Sequence, residues 1–129
     1  MPNQTIQSTQ ISNHIGLCSI IVQEKWNMQI LSQLISAPKR YNQIEAAINQ
    51  FPYLDKISPK ILSQRLKKLC DKGLITKQRF ASVPPAVQYQ ITQEGLIYAP
   101  VLDAMASVGQ TLTIPEIKNN EFDLYLDDF

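Results

Sequence analysis

The sequence predicts a mostly α-helical fold with one small β-hairpin, and three observations lead there. Apolar residues recur at helical spacing through successive stretches up to residue 72. Directly after Gly73 the period drops to two, with Val87, Tyr89 and Ile91 alternating against Gln88 and Gln90. From Thr92 onward the helical period returns.

Residues 1–12 are polar and aperiodic, and a flexible arm is expected there. A first helix is expected over about 14–22, carrying Ile15, Leu17, Cys18, Ile20, Ile21 and Val22. It is apolar on more than one side, so it needs more than one surface to bury it, and a second subunit would supply one. A second helix over about 24–36 places Trp26, Ile30, Leu31 and Leu34 on one face, and Pro38 ends it. A third over about 41–49 turns Tyr41, Ile44, Ala47 and Ile48 inward, and 50–57, containing Pro52, connects it onward.

The stretch 58–72 is the most fully specified helix of the chain. Ser58 suits the N-cap and Pro59 the first helical position. Gly73 suits the left-handed position just past the end. Leu62, Leu66 and Leu69 form its apolar stripe, flanked by Ile61 and Cys70. The other side carries Lys60, Ser63, Gln64 and Lys67, with Arg65 and Lys68 at its edges.

Strands are expected over 74–80 and 87–91, with 81–86 as the hairpin tip. Thr92 caps the next helix, with Gln93 and Glu94 in its first turn. Pro100 must kink or restart that helix, because it lacks an N–H and clashes with the preceding turn. Val101, Leu102, Met105 and Val108 continue the apolar stripe. Past Gly109 the pattern fades into an acidic tail over 110–129 that keeps some apolar content at Phe122, Leu124, Tyr125, Leu126 and Phe129. Residues 13–109 then make one domain with helices at both ends that would form a dimer interface. Two helices joined by a turn and followed at once by a hairpin make a winged helix-turn-helix. In that arrangement the second helix of the pair is the one that enters the major groove.

The charge distribution agrees. The formal net charge is only +1, yet residues 39–79 hold ten Lys and Arg against three acids, Glu45, Asp55 and Asp71. Residues 116–129 reverse the balance, with five acids against Lys118. A concentrated cationic segment is the footprint of phosphate binding. On the helix, Gln64 can pair with adenine and Lys60 or Lys67 with guanine, while Ser58, Ser63, Arg65 and Lys68 border them. Lys39 and Arg40, just before the third helix, are placed to touch phosphates, as are Lys77 and Arg79 on the first wing strand. Arg65 and Lys68 have an alternative, a helix-surface pairing with Asp71 or Glu45.

Several classes are excluded. No apolar run approaches the roughly 20 residues that span a bilayer. The first ten residues have neither the basic nor the apolar region of a signal peptide, so cytoplasmic residence is expected. Cys18 and Cys70 have no metal-ligand spacing, and the lone His14 gathers no further ligands, so no metal and no cofactor are expected. No nucleophile–base–acid set, phosphate loop or carboxylate pair suggests an enzyme.

The residues also resemble a family. K-W-N-M-Q-I-L at 25–31, K-R-Y-N-Q-I at 39–44 and I-S-P-K-I-L-S-Q-R-L-K-K-L at 57–69 are similar to segments of the HxlR-type regulators, a branch of the winged-helix proteins near MarR. So are K-G-L-I at 72–75, P-P-A-V-Q-Y-Q-I-T-Q-E-G at 84–95 and P-V-L-D-A-M at 100–105. The resemblance implies a homodimeric, DNA-binding transcription regulator. Members commonly dimerise through their terminal helices, and some sense oxidants, quinones or aldehydes through a cysteine. That cysteine usually falls near position 13 here, whereas Cys18 sits inside the first helix. Val108-Gly109 stands where the family often has Trp-Gly, and Ala86 where many members carry a cation after the wing prolines.

The resulting expectation is a homodimer binding double-stranded DNA at a partly palindromic site, with 58–72 in the major groove and the wing on the backbone or minor groove. Two alternatives stay open: a winged-helix protein–protein module, and a redox sensor acting through Cys18, or a small-molecule sensor, that releases DNA.

Overall fold

In the computed structural model, residues 8–112 are described. They form α1 (Ser8–Val22), α2 (Asn27–Leu34), α3 (Tyr41–Asn49), α4 (Pro59–Asp71), β1 (Ile75–Phe80), β2 (Ala86–Ile91), α5 (Gln93–Leu96) and α6 (Ala99–Thr111). This is a winged helix: a helical body with one antiparallel hairpin, paired from Ile75↔Ile91 to Phe80↔Ala86.

The core is where the helical stripes converge. Ile30, Leu31 and Leu34 of α2, Ile44 and Ile48 of α3, and Leu62, Leu66 and Leu69 of α4 are buried together with Ile57, Leu74, Ile75 and Tyr89. Removing that apolar surface from water is the main force holding α4 against the body.

Helix α4 begins and ends as its sequence requires. The Ser58 hydroxyl accepts from Ile61 N–H at 3.2 Å, and Pro59 occupies the first turn. At the other end Gly73 has φ 76°, Gly73 N–H donates to the Cys70 carbonyl at 2.9 Å, and Leu74 N–H donates to the Leu69 carbonyl at 3.0 Å. That pair of bonds is a Schellman close, and it sends the chain directly into β1.

Thr92 joins the hairpin to α5. Its hydroxyl donates to the Gly73 carbonyl at 2.6 Å and accepts from Gly95 N–H at 3.0 Å. Its own N–H donates to the Leu74 carbonyl at 3.0 Å. Helix α5 is pressed so closely here that a Cβ on Gly95 would stand 2.2 Å from the Leu74 carbonyl oxygen. The chain breaks at Ile97–Tyr98 and restarts as α6 with Pro100 in its first turn, so Pro100 restarts the helix instead of kinking it.

The strands begin within one residue of the sequence reading, and the larger boundary differences fall at α1, α2 and α6. Helix α1 starts at Ser8, so residues 8–12 of the expected arm are helical. Apart from Ile11 their side chains are polar, and all are exposed, so they give no periodic signal, yet they continue the helix outward from Ile15. Helix α2 is shorter than expected at both ends. Residues 23–26 form a turn in which Trp26 adopts φ 83°, a conformation that apolar periodicity cannot reveal. Helix α6 runs two residues past Gly109, a glycine with open space around it. The rest of the acidic tail, 113–129, lies outside the described residues.

Helices α1 and α6 are sparsely covered. Ile21 is the one buried residue of α1, while Ile15 is 60% and Leu17 59% exposed. Helix α6 buries none of its residues fully, leaving Val108 62% exposed. Among the described residues, no helix is long and apolar enough to cross a membrane.

Candidate nucleic-acid interface

With Leu62, Leu66 and Leu69 buried, the helical turn of about 100° per residue sets the rest of α4. Lys60, Gln64, Lys67 and Asp71 fall opposite the core and are exposed. Ser63 and Cys70 fall on the edge facing the hairpin. Arg65 and Lys72 fall on the other edge, toward the α1–α2 turn.

On the hairpin side, Ser63, Lys67 and Cys70 face Ile75, Thr76, Lys77 and Tyr89 across a cleft of about 630 Å³. Lys67 and Lys77 thus stand on opposite sides of one groove. Lys67 also reaches Asp71 one turn on, at 3.1 Å. Both partners are well exposed, so the pair is weak and easily exchanged for a phosphate. Cys70 lines the same cleft, and burial pushes its thiol above the usual cysteine range, with Asp71 adding to the shift and Lys77 opposing it. The Tyr89 hydroxyl is likewise raised, chiefly by burial.

The hairpin tip closes a second hollow, of about 500 Å³, between Ser82–Val87 and the start of α3. Arg40 and Asn42 line it, and Arg40 N–H is held by the Gln43 side chain at 2.8 Å. The α3 N-terminus is closed by its own capping contacts, with Gln43 N–H donating to the Arg40 carbonyl at 3.0 Å, and exposed Arg40 supplies the cation that lines this concave surface. Lys77 and Arg79 stand opposite Tyr89 and Val87 in the hairpin register, exposed on β1.

Two expected contacts are committed elsewhere. Lys39 pairs its backbone with Tyr89 in both directions, at 3.0 and 2.8 Å, and its ammonium donates to the Gln33 carbonyl. It ties the base of the hairpin to the end of α2 and is only partly exposed. Arg65 turns away from the outward face. Its Nη2 lies 3.0 Å from Glu24 Oε1, and its Nε donates to the Lys25 carbonyl at 2.9 Å. The alternative pairing expected for Arg65 and Lys68, with Asp71 or Glu45, does not form. Asp71 takes Lys67, and Arg65 takes the turn before α2. Ser58 is spent on its cap but lies exposed at the entry of α4 beside Lys60. Lys68 is exposed and lines a hollow with Ile20, Glu24 and Lys72.

One supporting residue gave no usable signal in the sequence. Asn49, at the end of α3, accepts from Ile57 N–H at 2.8 Å and donates to the Ile57 carbonyl at 3.2 Å. It closes the 50–57 connector and so sets where α4 begins. An asparagine near a helix end suggests a turn, but not which backbone it will hold.

Cys18 is partly buried on α1 and lies near Tyr98, whose hydroxyl is raised by burial first and by the Cys18 thiol second. His14 is exposed on α1. Among the described residues, no group of three or more His, Cys, Asp or Glu is placed to hold a metal ion.

A winged helix-turn-helix with a cationic outer face on its second helix fits the class of helix-turn-helix transcription regulators, and comparison with known proteins narrows it. The model of the HxlR-like helix-turn-helix family matches residues 21–116. The chain belongs to that family, and it is a transcriptional regulator of the helix-turn-helix type. An uncharacterised HTH-type transcriptional regulator of Methanothermobacter thermautotrophicus is 31% identical over 99 residues, covering 73% of this chain and 71% of that protein. A solved structure from Porphyromonas gingivalis W83, assigned to the MarR family of transcriptional regulators, superposes with TM-score 0.68 at 33% identity. It covers 77% of this chain and 91% of its own. The redox regulator HypR in its oxidised form shares the fold at TM-score 0.68 and 22% identity, over 77% of this chain and 96% of its own. All three are described as regulators.

Proposed function

We propose that the protein is a cytoplasmic homodimer that binds duplex DNA sequence-specifically, with α4 in the major groove and the hairpin on the adjoining backbone. The observation that carries this reading is the set of exposed polar side chains on α4 and around the hairpin. Lys60, Gln64 and Lys67 point outward from α4, Lys67 and Lys77 line one cleft, Arg79 is exposed further along β1, and Arg40 lines the hollow at the hairpin tip. Lys60 and Gln64 are the base-reading candidates, with Ser63 beside them. Arg40, Lys67, Lys68, Lys77 and Arg79 position the backbone. The exposed apolar residues of α1 and α6, with Ile97 between α5 and α6, supply the surface that a second copy covers. A two-fold dimer then presents two α4 helices to half-sites about one helical turn apart, or a multiple of it.

The test is selection from randomised duplexes, followed by titration of the recovered site across salt concentration. The expected outcome is a site with two-fold symmetry and an affinity that falls steeply with salt. Enrichment of no sequence, with capture of an acidic protein partner in its place, would replace this reading with a protein–protein module.

A further inference from the structure

We propose that Arg65 is a positioning residue: it sets the angle between α4 and α1, and through it the half-site spacing that the dimer accepts. This inference rests on the dimeric DNA-binding reading above. Arg65 is the one cation of α4 whose side chain is mostly withdrawn from solvent, at 14% exposure. It forks onto two neighbouring positions, the Glu24 carboxylate at 3.0 Å and the Lys25 carbonyl at 2.9 Å. A planar guanidinium can serve both directions at once, whereas an ammonium cannot hold that fork.

The turn it grips is where the direction of α1 is decided. Trp26 sits there at φ 83° with its indole buried, and the Asn27 side chain donates back to the Ile21 carbonyl at 3.0 Å. Lys25 reaches from the same turn to Asp55 at 2.5 Å, in the connector just before α4. The turn is therefore fastened to the middle of the groove-facing helix through Arg65, with only a weak, exposed pair to its approach. Beyond Ile21, α1 has no buried residue to hold it.

Small rotations at this joint are large at the DNA. Residues 8–21 extend about 20 Å at 1.5 Å per residue. A tilt of about 10° at the joint displaces the far end by about 3.5 Å, close to the rise of about 3.4 Å per base pair. A clamp that holds the α1–α4 angle thus selects between neighbouring half-site spacings without touching a base.

The experiment uses the full chain and a series of duplexes carrying the selected half-sites at the best spacing and one base pair to either side, with a single half-site as reference. Wild type is expected to favour the best spacing over its neighbours by about tenfold, within the usual range of coupling between sites. Arg65→Lys should lower that ratio to about twofold while single-half-site affinity and the salt slope stay unchanged. Glu24→Ala should flatten the preference in the same way from the exposed side of the pair. Glu24→Gln, which keeps an acceptor for the guanidinium, should retain most of it. Thermal midpoints recorded in parallel separate a loosened clamp from a failed fold. A wild-type spacing ratio in both Arg65→Lys and Glu24→Ala overturns the inference alone. So does a uniform loss on every duplex with a shallower salt slope, which marks Arg65 as a phosphate contact. Absence of any spacing preference in wild type overturns the dimeric reading and this inference with it.

Discussion

Asn49 holds both backbone groups of Ile57, accepting its N–H at 2.8 Å and donating to its carbonyl at 3.2 Å. One side chain thus satisfies a buried residue's donor and acceptor in a connector that has no secondary structure to do so. Asn49→Ala leaves both groups unpaired next to the core, and the expected loss is about 1–3 kcal/mol of stability. Asn49→Asp keeps the acceptor and loses the donor, so its cost should be smaller. Urea denaturation of the three proteins checks the order.

Gly95→Ala should be more damaging than a methyl group normally is. The added Cβ would meet the Leu74 carbonyl oxygen at 2.2 Å and Ile91 Cγ1 at 2.6 Å. The Leu74 carbonyl already accepts from Thr92 N–H, so the backbone cannot yield without loosening the cap of α5. Overpacking of this kind costs about 1–3 kcal/mol. At this size that is a fall in thermal midpoint of several degrees.

Three substitutions around α4 separate reading, holding and folding. Gln64→Ala should relax preference at one position of each half-site, a loss of about 1–3 kcal/mol of discrimination. Arg40→Ala should weaken all sequences alike and reduce the salt slope by about one. Leu66→Ala should cost about 2–5 kcal/mol of stability by leaving a cavity under the helix. Selection over randomised duplexes at fixed salt, beside thermal melts, distinguishes them. Altered base preference in Arg40→Ala with none in Gln64→Ala would mean that α4 is docked in another rotation.

The two cysteines should be poor oxidant sensors. Burial, and then Asp71, raise the Cys70 thiol, so at any given pH less of it is thiolate than in a free cysteine. Alkylation of Cys70 should therefore lag behind a free thiol at neutral pH and catch up only at higher pH than usual. Cys18 is partly buried in an apolar helix. Diamide should leave wild type and Cys18→Ser with similar DNA affinity. A loss of binding in wild type alone reverses that expectation.

Association is a separate prediction. Ile15, Leu17 and Ile20 on α1 and Ile97, Val108 and Leu112 near α6 are each more than half exposed. Exposed apolar residues gathered on two helices are what a protein–protein contact surface presents. Sedimentation at micromolar concentration should give a mass near twice 14.6 kDa. A monomer that still binds its site tightly would remove the second copy from the mechanism.

The elements legible in advance were those whose signals are local. Ser58, Pro59 and Gly73 bracket α4 in sequence and in structure because capping depends on residues within one turn of the helix end. Thr92 and Pro100 marked the starts of α5 and α6 for the same reason. Pairings across long sequence distances were not legible. Arg65 meets Glu24 and Lys25 some forty residues away. Lys39 meets Tyr89 through the backbone, which no side-chain pattern records. The sequence makes Lys39 a phosphate contact, and Arg65 a groove cation or a partner of Asp71 or Glu45; tertiary structure gives both other partners.

The Lys39–Tyr89 bridge also divides the hairpin in time. Below it, β2 is tied on a second side to the end of α2, with two backbone bonds beyond those of the β1 ladder. Above it, residues 81–85 are exposed and belong to no ladder. Amide hydrogens near Tyr89 should exchange only on openings that disturb the body, whereas those of Ala81–Val83 should exchange on small local excursions. The tip can then follow grooves of different width on a fast clock, while its base keeps the slower clock of the domain.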